Sequence, residues 1–463
     1  MARVDPSFRF EHSTSDARAW GKSLRSTMPR TRHCEPHPSD RDPVAIIEKQ
    51  NSSRLQGLVP VRIGRMLESP FAFYRGTAAV MANDLADEAR TDIFAVSCGD
   101  AHVANFGFFA SPERRLLFDL NDFDESAPAP WEWDVKRLAG SVMIGSRHNG
   151  FREDQVLEAT RAAVRSYRTT TRELHEMSAL DRYYYRVEYE DLESLASGEV
   201  LEQLHKLNRK ARRKNSAEVL RQITTSDVDG VPKIVDQPPI LQHFTAIGRD
   251  EVEHVIERYL ETLRPDLSLV FSKFRMVDYA LRIVGVGSVG TRCAIALMLG
   301  PSDFPLFLQF KEAQPSVLET WGRIKPMPIR GLGDRDRRLE GYRVVSCQQV
   351  LQAASDPFLG WVRTSAGVDF YVRQFRDMKG SVSLDLLSAD SFLRYATLCG
   401  RLLARAHSQS PGSAAIDGYL GQSEVFDGAI VDWAKAYADR SEQDFEALEG
   451  AVRSGRLPAE RGI

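Results

Sequence analysis

The sequence predicts an α+β protein built as two lobes, with a β-rich stretch set between helical ones. Two observations lead there. Apolar residues recur at helical spacing over Gly76–Ala89 and again over Ala389–His407, at Phe392, Tyr395, Leu398, Leu402 and Leu403. From Phe271 onward, short apolar runs bounded by Gly, Pro and Asp replace that pattern, which is the texture of strands. A chain of 463 residues has room for roughly two to three domains, or for two lobes with an insertion.

Taken in order, residues 1–44 are polar and rich in Pro, Ser and Arg, and form an N-terminal extension that packs on the body or stays mobile. Residues 45–170 are the first part of the helical lobe. They hold a helix near Pro43–Asn51, the buried helix Gly76–Ala89 and a short strand Ile93–Val96. Two more strands, Asn105–Phe109 and Arg115–Leu120, are joined by the turn Ser111–Arg114, and the helices Asp134–Ser146 and Arg152–Tyr167 follow. Residues 171–270 are a charged, mostly helical insertion. Its basic run His205–Lys214 reads as a solvated helix face, with a clamp for an acidic substrate as the sharper alternative. Residues 271–380 are β-rich, with strands at Tyr279–Val284, Leu306–Phe310 and Phe370–Phe375, while Cys293–Leu299 fits strand or helix. Residues 381–463 return to helix and complete the helical lobe.

Composition excludes several function classes. Hydrophobic residues make up 43% and charged residues 27%, as in an ordinary globular protein. A net charge of -3 supplies no basic field for nucleic acid, so none is expected as a partner. The five cysteines are scattered with no CxxC pair, which suggests neither a zinc knuckle nor a disulfide framework and points to a reducing cytoplasm. There is no apolar leader and no uncharged apolar run of about 18 residues, so neither a signal peptide nor a membrane span is expected.

Chemistry concentrates in two stretches. The first begins at Cys98-Gly99-Asp100-Ala101-His102-Val103-Ala104-Asn105, a loop between a strand and a hairpin. Asp100 can accept a proton from an attacking hydroxyl or orient it, and Asn105 can offer its side-chain oxygen to a hard cation. With His102 between them they make the candidate catalytic set. The following strand delivers Asp119, Asp122 and Asp124, and closely spaced carboxylates suit magnesium, which takes one or two of them plus substrate phosphates. The competing reading is a capped turn, since Asp, Asn and Gly are turn formers.

The second stretch is Val284-Gly285-Val286-Gly287-Ser288-Val289-Gly290. Glycines let backbone N–H groups approach phosphate oxygens, so Gly285, Gly287, Ser288 and Gly290 fit either a dinucleotide fingerprint or a phosphate flap between strands. A dinucleotide turn should open a helix, whereas a flap should be followed by a strand ending near a Lys. Leu306–Phe310 ends at Lys311, which can hold phosphates. Glu319, on a helix starting near Pro315, is the expected partner of Lys311, with Glu312 a lesser candidate.

The run Gly99-Asp100-x-His102-x-x-Asn105 resembles the catalytic loop of aminoglycoside-phosphotransferase-type kinases, with Cys98 where that family usually has His. The resemblance implies a metal-binding Asp at the end of the hairpin. Asp119 has the family's spacing, and Asp122, in Asp122-Phe123-Asp124, has its Asp-Phe pattern, so both stay open. It also implies that Asp134 braces the catalytic loop from a helix start, although a plain helix N-cap reads the same way. Phe370–Phe375 with Asp377–Ser381 resembles the segment between kinase lobes, where backbone groups at Gln374 to Arg376 would meet an adenine edge. The whole chain further resembles an uncharacterised bacterial family, domain of unknown function 2252, through Ser69–Gly76, the NDFDE stretch and Lys311–Glu319; within that set Arg75 is a candidate phosphate contact or a salt-bridge partner of the acidic cluster. In kinases the glycine loop and Lys precede the catalytic loop, and here the order is reversed, which implies a circularly permuted kinase-like fold.

The resulting expectation is an ATP- and Mg-dependent phosphotransferase acting on an unknown hydroxyl acceptor. Asp100, His102 and Asn105 would be catalytic, and Asn105 with Asp119 or Asp122 would hold metal. Gly285, Gly287, Ser288, Gly290, Lys311 and Glu319 would hold the nucleotide. A nucleotide-binding regulator, a nucleotidyl-transferring relative and a dinucleotide-dependent oxidoreductase are the alternatives.

Overall fold

In the computed structural model, which describes residues 13–36, 40–195, 198–227, 230–243, 248–283, 287, 289–327, 339–375 and 378–462, the chain is mixed α+β. Alternation along Pro305–Glu312 shows how the large sheet is built, because successive strand side chains face opposite ways. Leu306, Leu308 and Phe310 pack with Ile256, Tyr259 and Phe271, under the helix Arg249–Leu260. Phe307 packs on the other face with Ile295, Leu297 and Val219. The sheet has six strands, in the order Gly360–Arg363, Asp369–Gln374, Pro305–Glu312, Cys293–Leu299, Arg275–Arg282 and Leu241–Gln242, and every pairing is antiparallel. Cys293–Leu299 is thus a strand, which resolves the ambiguity of its apolar run.

The helical body draws on both ends of the chain. Its core joins residues from Phe71 to Tyr167 with others from Val344 to Ala438. The helices Glu153–Glu176 and Ala389–Ser408 run together so closely that a Cβ on Gly400 would lie 2.1 Å from the carbonyl oxygen of Ala163. Trp131, at the start of the buried helix Trp131–His148, stacks on Tyr167 with ring centroids 5.8 Å apart. Phe106–Ala110 and Leu116–Leu120 form the expected hairpin, and Gly380–Ser381 pairs with its first strand. The short strand Phe94–Ser97 pairs antiparallel with Ala127–Pro130. The N-terminal helix Thr14–Ser23 lies on the body, where Arg18 pairs with Asp417.

Several local expectations are corrected. The helix expected over Gly76–Ala89 forms as the shorter Ala78–Leu85, and a separate helix, Pro70–Gly76, precedes it across Thr77 (φ -117, ψ 34), whose hydroxyl donates to the carbonyls of Phe73 and Tyr74. The helix expected to start near Pro315 is present but short, Val317–Thr320, and it carries Glu319. The insertion also carries a small hairpin, Thr224–Ser226 with Pro232–Ile234. The helix Glu340–Leu351 and the strand Gly360–Arg363 stood in no apolar pattern strong enough to mark them.

The glycine contacts yield a paired test of packing. Gly400→Ala is expected to lower stability by about 1–3 kcal/mol through the clash with Ala163. Gly428→Ala, in a helix with nothing within 4 Å of the added Cβ, is expected to raise it by about 0.5–1 kcal/mol. Thermal and urea unfolding of the two variants should shift in opposite directions; equal shifts would refute the packing described for Gly400.

Candidate active site

The strand Phe94–Ser97 ends at a turn in which Gly99 has φ +77 and a Cβ there would sit 2.3 Å from the Glu125 carbonyl oxygen, so only glycine fits. The loop that follows is held from below. The Asp134 carboxylate accepts from the backbone N–H groups of Cys98 (2.6 Å) and Gly99 (2.9 Å). His407, near the end of the helix Ala389–Ser408, lies with Nε2 3.1 Å from Asp134 Oδ2, and its Nδ1 is 2.8 Å from the Tyr167 hydroxyl. The Val103 N–H donates to Ser141 Oγ at 2.8 Å, and the Tyr395 hydroxyl donates to the carbonyls of Val103 and Phe106.

This support aims Asp100 into a cavity of about 990 Å³, where Asp100, His102, Asn105, Asp122, Asp124 and Gly287 are among the lining residues. Asp100 Oδ1 accepts from Arg137 Nε at 2.8 Å, and Arg137 in turn lies over the Tyr74 ring, 4.0 Å from its centroid, and donates to the Tyr74 carbonyl. His102 Nε2 is 3.8 Å from Asp100 Oδ2, and burial lowers the imidazole pKa to about 4, so it is neutral at pH 7. The Asn105 amide donates to the carbonyls of Asp122 (2.9 Å) and Asp100 (3.1 Å), which turns its side-chain oxygen away from both. That oxygen is the atom a cation would need.

Lys311, near the end of Pro305–Glu312, does not itself line the cavity but stands behind Asp122 and Asp124, which do. Its ammonium donates to Asp124 Oδ2 at 2.7 Å and to Asp122 Oδ1 at 3.3 Å. Burial opposes its charge, yet Asp122 and Asp124 hold the pKa well above the usual lysine value. The Asp122 side chain is half exposed, and what desolvation it suffers is offset by Lys311, Arg373 and Lys379, leaving the carboxyl below its usual range. The Asp124 carboxylate also accepts from the Tyr371 hydroxyl.

The structure separates the acidic candidates. Asp119, 1% exposed, turns away from the cavity and accepts from the N–H groups of Leu120 and Ala353, both at 2.9 Å. Strand alternation explains this: Asp119 lies opposite Gly107 inside the hairpin, whereas Asp122 and Asp124 follow the strand end and are free to face the cavity. Glu319 and Glu312 do not pair with Lys311. Glu319 lies in the field of Arg343 and Glu340, with burial raising its pKa, and Glu312 holds Arg292 at 3.0 Å. Both fail because Asp122 and Asp124 reach the ammonium first across the tertiary fold.

The glycine run lies between two antiparallel strands, Arg275–Arg282 and Cys293–Leu299, and among the described residues no helix opens there. That is not the strand-to-helix turn a dinucleotide fingerprint requires. Gly287 lines the cavity and Gly290 has φ +90, with its carbonyl accepting from Leu55 N–H; Gly285 and Ser288 lie outside the described residues. The adenine-edge expectation finds no free donor at Gln374 or Phe375, whose N–H groups bond Asp356 Oδ2 and the Phe307 carbonyl, and Arg376 lies outside the described residues. None of the basic residues of His205–Lys214 lines the cavity.

Residues that sequence reasoning passed over also line it: Arg54, Arg373, Lys379 and Glu125. Glu125 stood in the NDFDE stretch, the one available signal. Its Oε2 accepts from the Val317 N–H at 2.8 Å, and burial raises its pKa to about 7. Among the described residues, no group of three or more His, Cys, Asp or Glu is arranged to hold a metal ion. Asp122 and Asn105 both line the cavity, and magnesium ordinarily takes only one or two protein carboxylates, with substrate oxygens and water completing its shell.

The Glu125 geometry carries a pH signature. A carboxyl whose folded pKa lies above its unfolded value binds its proton more tightly when folded, so its contribution to stability falls as pH rises from about 4.5 to about 7. Glu125→Gln removes that loss. The melting temperature of the variant minus that of the unaltered protein is expected to increase across this window, and a difference flat in pH would refute the assignment.

No curated protein and no solved structure matches this chain. No helix among the described residues is long and apolar enough to cross a membrane. One family does match, over residues 54–451, and its span takes in the Asp100 loop, the Asp122–Asp124 turn, the Lys311 strand and His407. On that match the chain belongs to the family described as uncharacterized protein conserved in bacteria (DUF2252).

Proposed function

We propose that this protein is an ATP- and magnesium-dependent phosphotransferase with a two-lobed, circularly permuted kinase-like fold. The reading is carried by one observation: Asp100, Asn105, Asp122 and Asp124 line a single cavity, and Lys311, from a strand far along the chain, bonds the last two of them. The permutation is supported by the meeting of His407 with Asp134 beneath the Asp100 loop, since a helix late in the chain ends where one leading into that loop would end.

In this reading Asp100, oriented by Arg137, takes the proton of the acceptor hydroxyl. The hydroxyl oxygen forms its bond to the γ-phosphorus as the bond to the β–γ bridging oxygen breaks, and ADP leaves with that electron pair. Lys311 binds phosphate oxygens as a point charge, and Gly287, which lines the cavity, offers a backbone N–H to them. Asp122 and Asn105 would hold magnesium, which supplies charge neutralisation at the phosphates.

Asp100→Asn is expected to reduce turnover by about 10²- to 10⁴-fold while nucleotide affinity stays within a few-fold. Steady-state assays beside calorimetric titration with ATP read both, and an unchanged kcat removes Asp100 from the chemistry. Thermal stabilisation by ATP is expected to be larger with magnesium than with a chelator, and Asp122→Ala is expected to abolish the difference. Equal stabilisation of the unaltered protein under both conditions would count against the metal role.

A further inference from the structure

Arg75 stands at the end of the helix Pro70–Gly76, on the same cavity as Asp100. Its Nε is shielded from solvent and has no hydrogen-bond partner, and among the described residues no ion pair ties its guanidinium to a carboxylate. The sequence left two readings for this arginine, and the salt bridge is not formed. The nearby carboxylate of Asp100 is taken by Arg137 instead, at 2.8 Å. Asp122 is engaged by Lys311. His102 lines the cavity beside Arg75, is neutral, and its Nδ1 is likewise shielded and without a partner.

Arg75 is half-buried, and a guanidinium nitrogen shielded from water without an acceptor is costly to leave unfilled, the usual remedy being a counter-charge or neutralisation. Arginine does not neutralise at any ordinary pH. Burial draws its pKa down, and the fields of Asp100, Glu68, Asp385 and Asp122 offset this only in part. These carboxylates act at a distance and leave the N–H groups unfilled. The planar guanidinium fork matches the geometry of carboxylate and phosphate oxygens, which can accept two parallel bonds from it.

We propose that Arg75 binds an oxyanion on the acceptor, so that the substrate is a small hydroxyl compound carrying a phosphate or carboxylate group, placed with its hydroxyl toward Asp100. The proposal rests on the phosphotransferase reading for the meaning of the site. The anion site itself does not depend on it. Position argues for the acceptor over the nucleotide. Asp100, the proposed base, is the carboxylate that acts most strongly on Arg75, and His102 of the same loop lines the cavity with it; Gly287 also lies near the Arg75 backbone, so competition with the nucleotide analogue decides between the two. A small molecule fits better than a protein chain, because the unfilled donor is shielded within the cavity and not displayed on the surface.

The test uses the full-length protein, its Arg75→Gln and Arg75→Lys variants, and two probes, inorganic phosphate and acetate. Each probe is titrated calorimetrically, alone and with saturating magnesium and a non-hydrolysable ATP analogue. The unaltered protein is expected to bind at least one probe, and to bind it still with the analogue present. Arg75→Gln is expected to weaken that binding about tenfold or more, the scale of a lost charged hydrogen bond, and Arg75→Lys to retain part of it. Preference for phosphate or acetate tells which anion the acceptor carries. Binding of neither probe, equal binding by Arg75→Gln, or displacement of the probe by the analogue each overturns the proposal. Should Arg75→Gln fail to fold, Arg75→Lys still decides through its own ratio: an affinity equal to that of the unaltered protein for both probes removes the guanidinium from the site. Absence of heat from the analogue alone refutes the nucleotide reading and leaves the Arg75 result standing.

Discussion

The Lys311 ammonium, with its side chain 3% exposed, has to find negative charge inside the protein, and most of the cavity follows from where it finds it. An unpaired ammonium at that depth would be strongly unfavourable. Asp122 and Asp124 supply the charge from the end of the Leu116–Leu120 hairpin strand, so the six-stranded sheet can seat only against a formed hairpin turn. The surroundings reinforce the contact. Tyr371 lies opposite Lys311 in register and donates to Asp124, while Arg343 donates to the carbonyls of Asp124, Ser126 and Gln314. The turn is thereby fastened to the sheet by side chains and by its own backbone.

Asp134 plays the corresponding part on the other wall. It is 1% exposed, and its carboxylate is satisfied by two backbone N–H groups of the Asp100 loop and by His407. Charge-assisted bonds of this kind hold a loop in one conformation more firmly than neutral ones. The loop and the Lys311 strand are therefore each anchored in buried polar contacts, and the cavity between them is bounded by groups already in place. Rigid placement of that kind is what a binding or catalytic constellation needs from its surroundings.

The strands Pro305–Glu312 and Asp369–Gln374 were readable because alternation and apolar runs report local burial, whereas the apolar run Cys293–Leu299 left strand and helix open. The Asp100 loop was readable because Gly, Asp, His and Asn stand together between a strand and a hairpin. Glu319 as the partner of Lys311 was not correct: proximity along the chain suggested it, and the ammonium instead bonds carboxylates 187 and 189 positions away. The helix Pro70–Gly76 escaped notice because its seven residues are too short for apolar spacing to mark it. Arg75 was noticed, but whether it paired with the acidic cluster depended on which carboxylates other cations had already taken.

By itself the sequence determined the α+β character, the order of the main elements, the residues of the Asp100 loop and the strand that ends at Lys311. These rest on backbone periodicity and turn chemistry, which act over a few residues. Tertiary structure alone decided which acidic residue faces the cavity. Asp119 and Asp122 have the same chemistry and differ by three positions, yet one is enclosed in a strand pair against Ala353 and the other emerges beyond it toward Lys311. Strand registry and long-range charge pairing made that choice, because only a folded chain brings Ala353 and Lys311 to opposite sides of the same short segment.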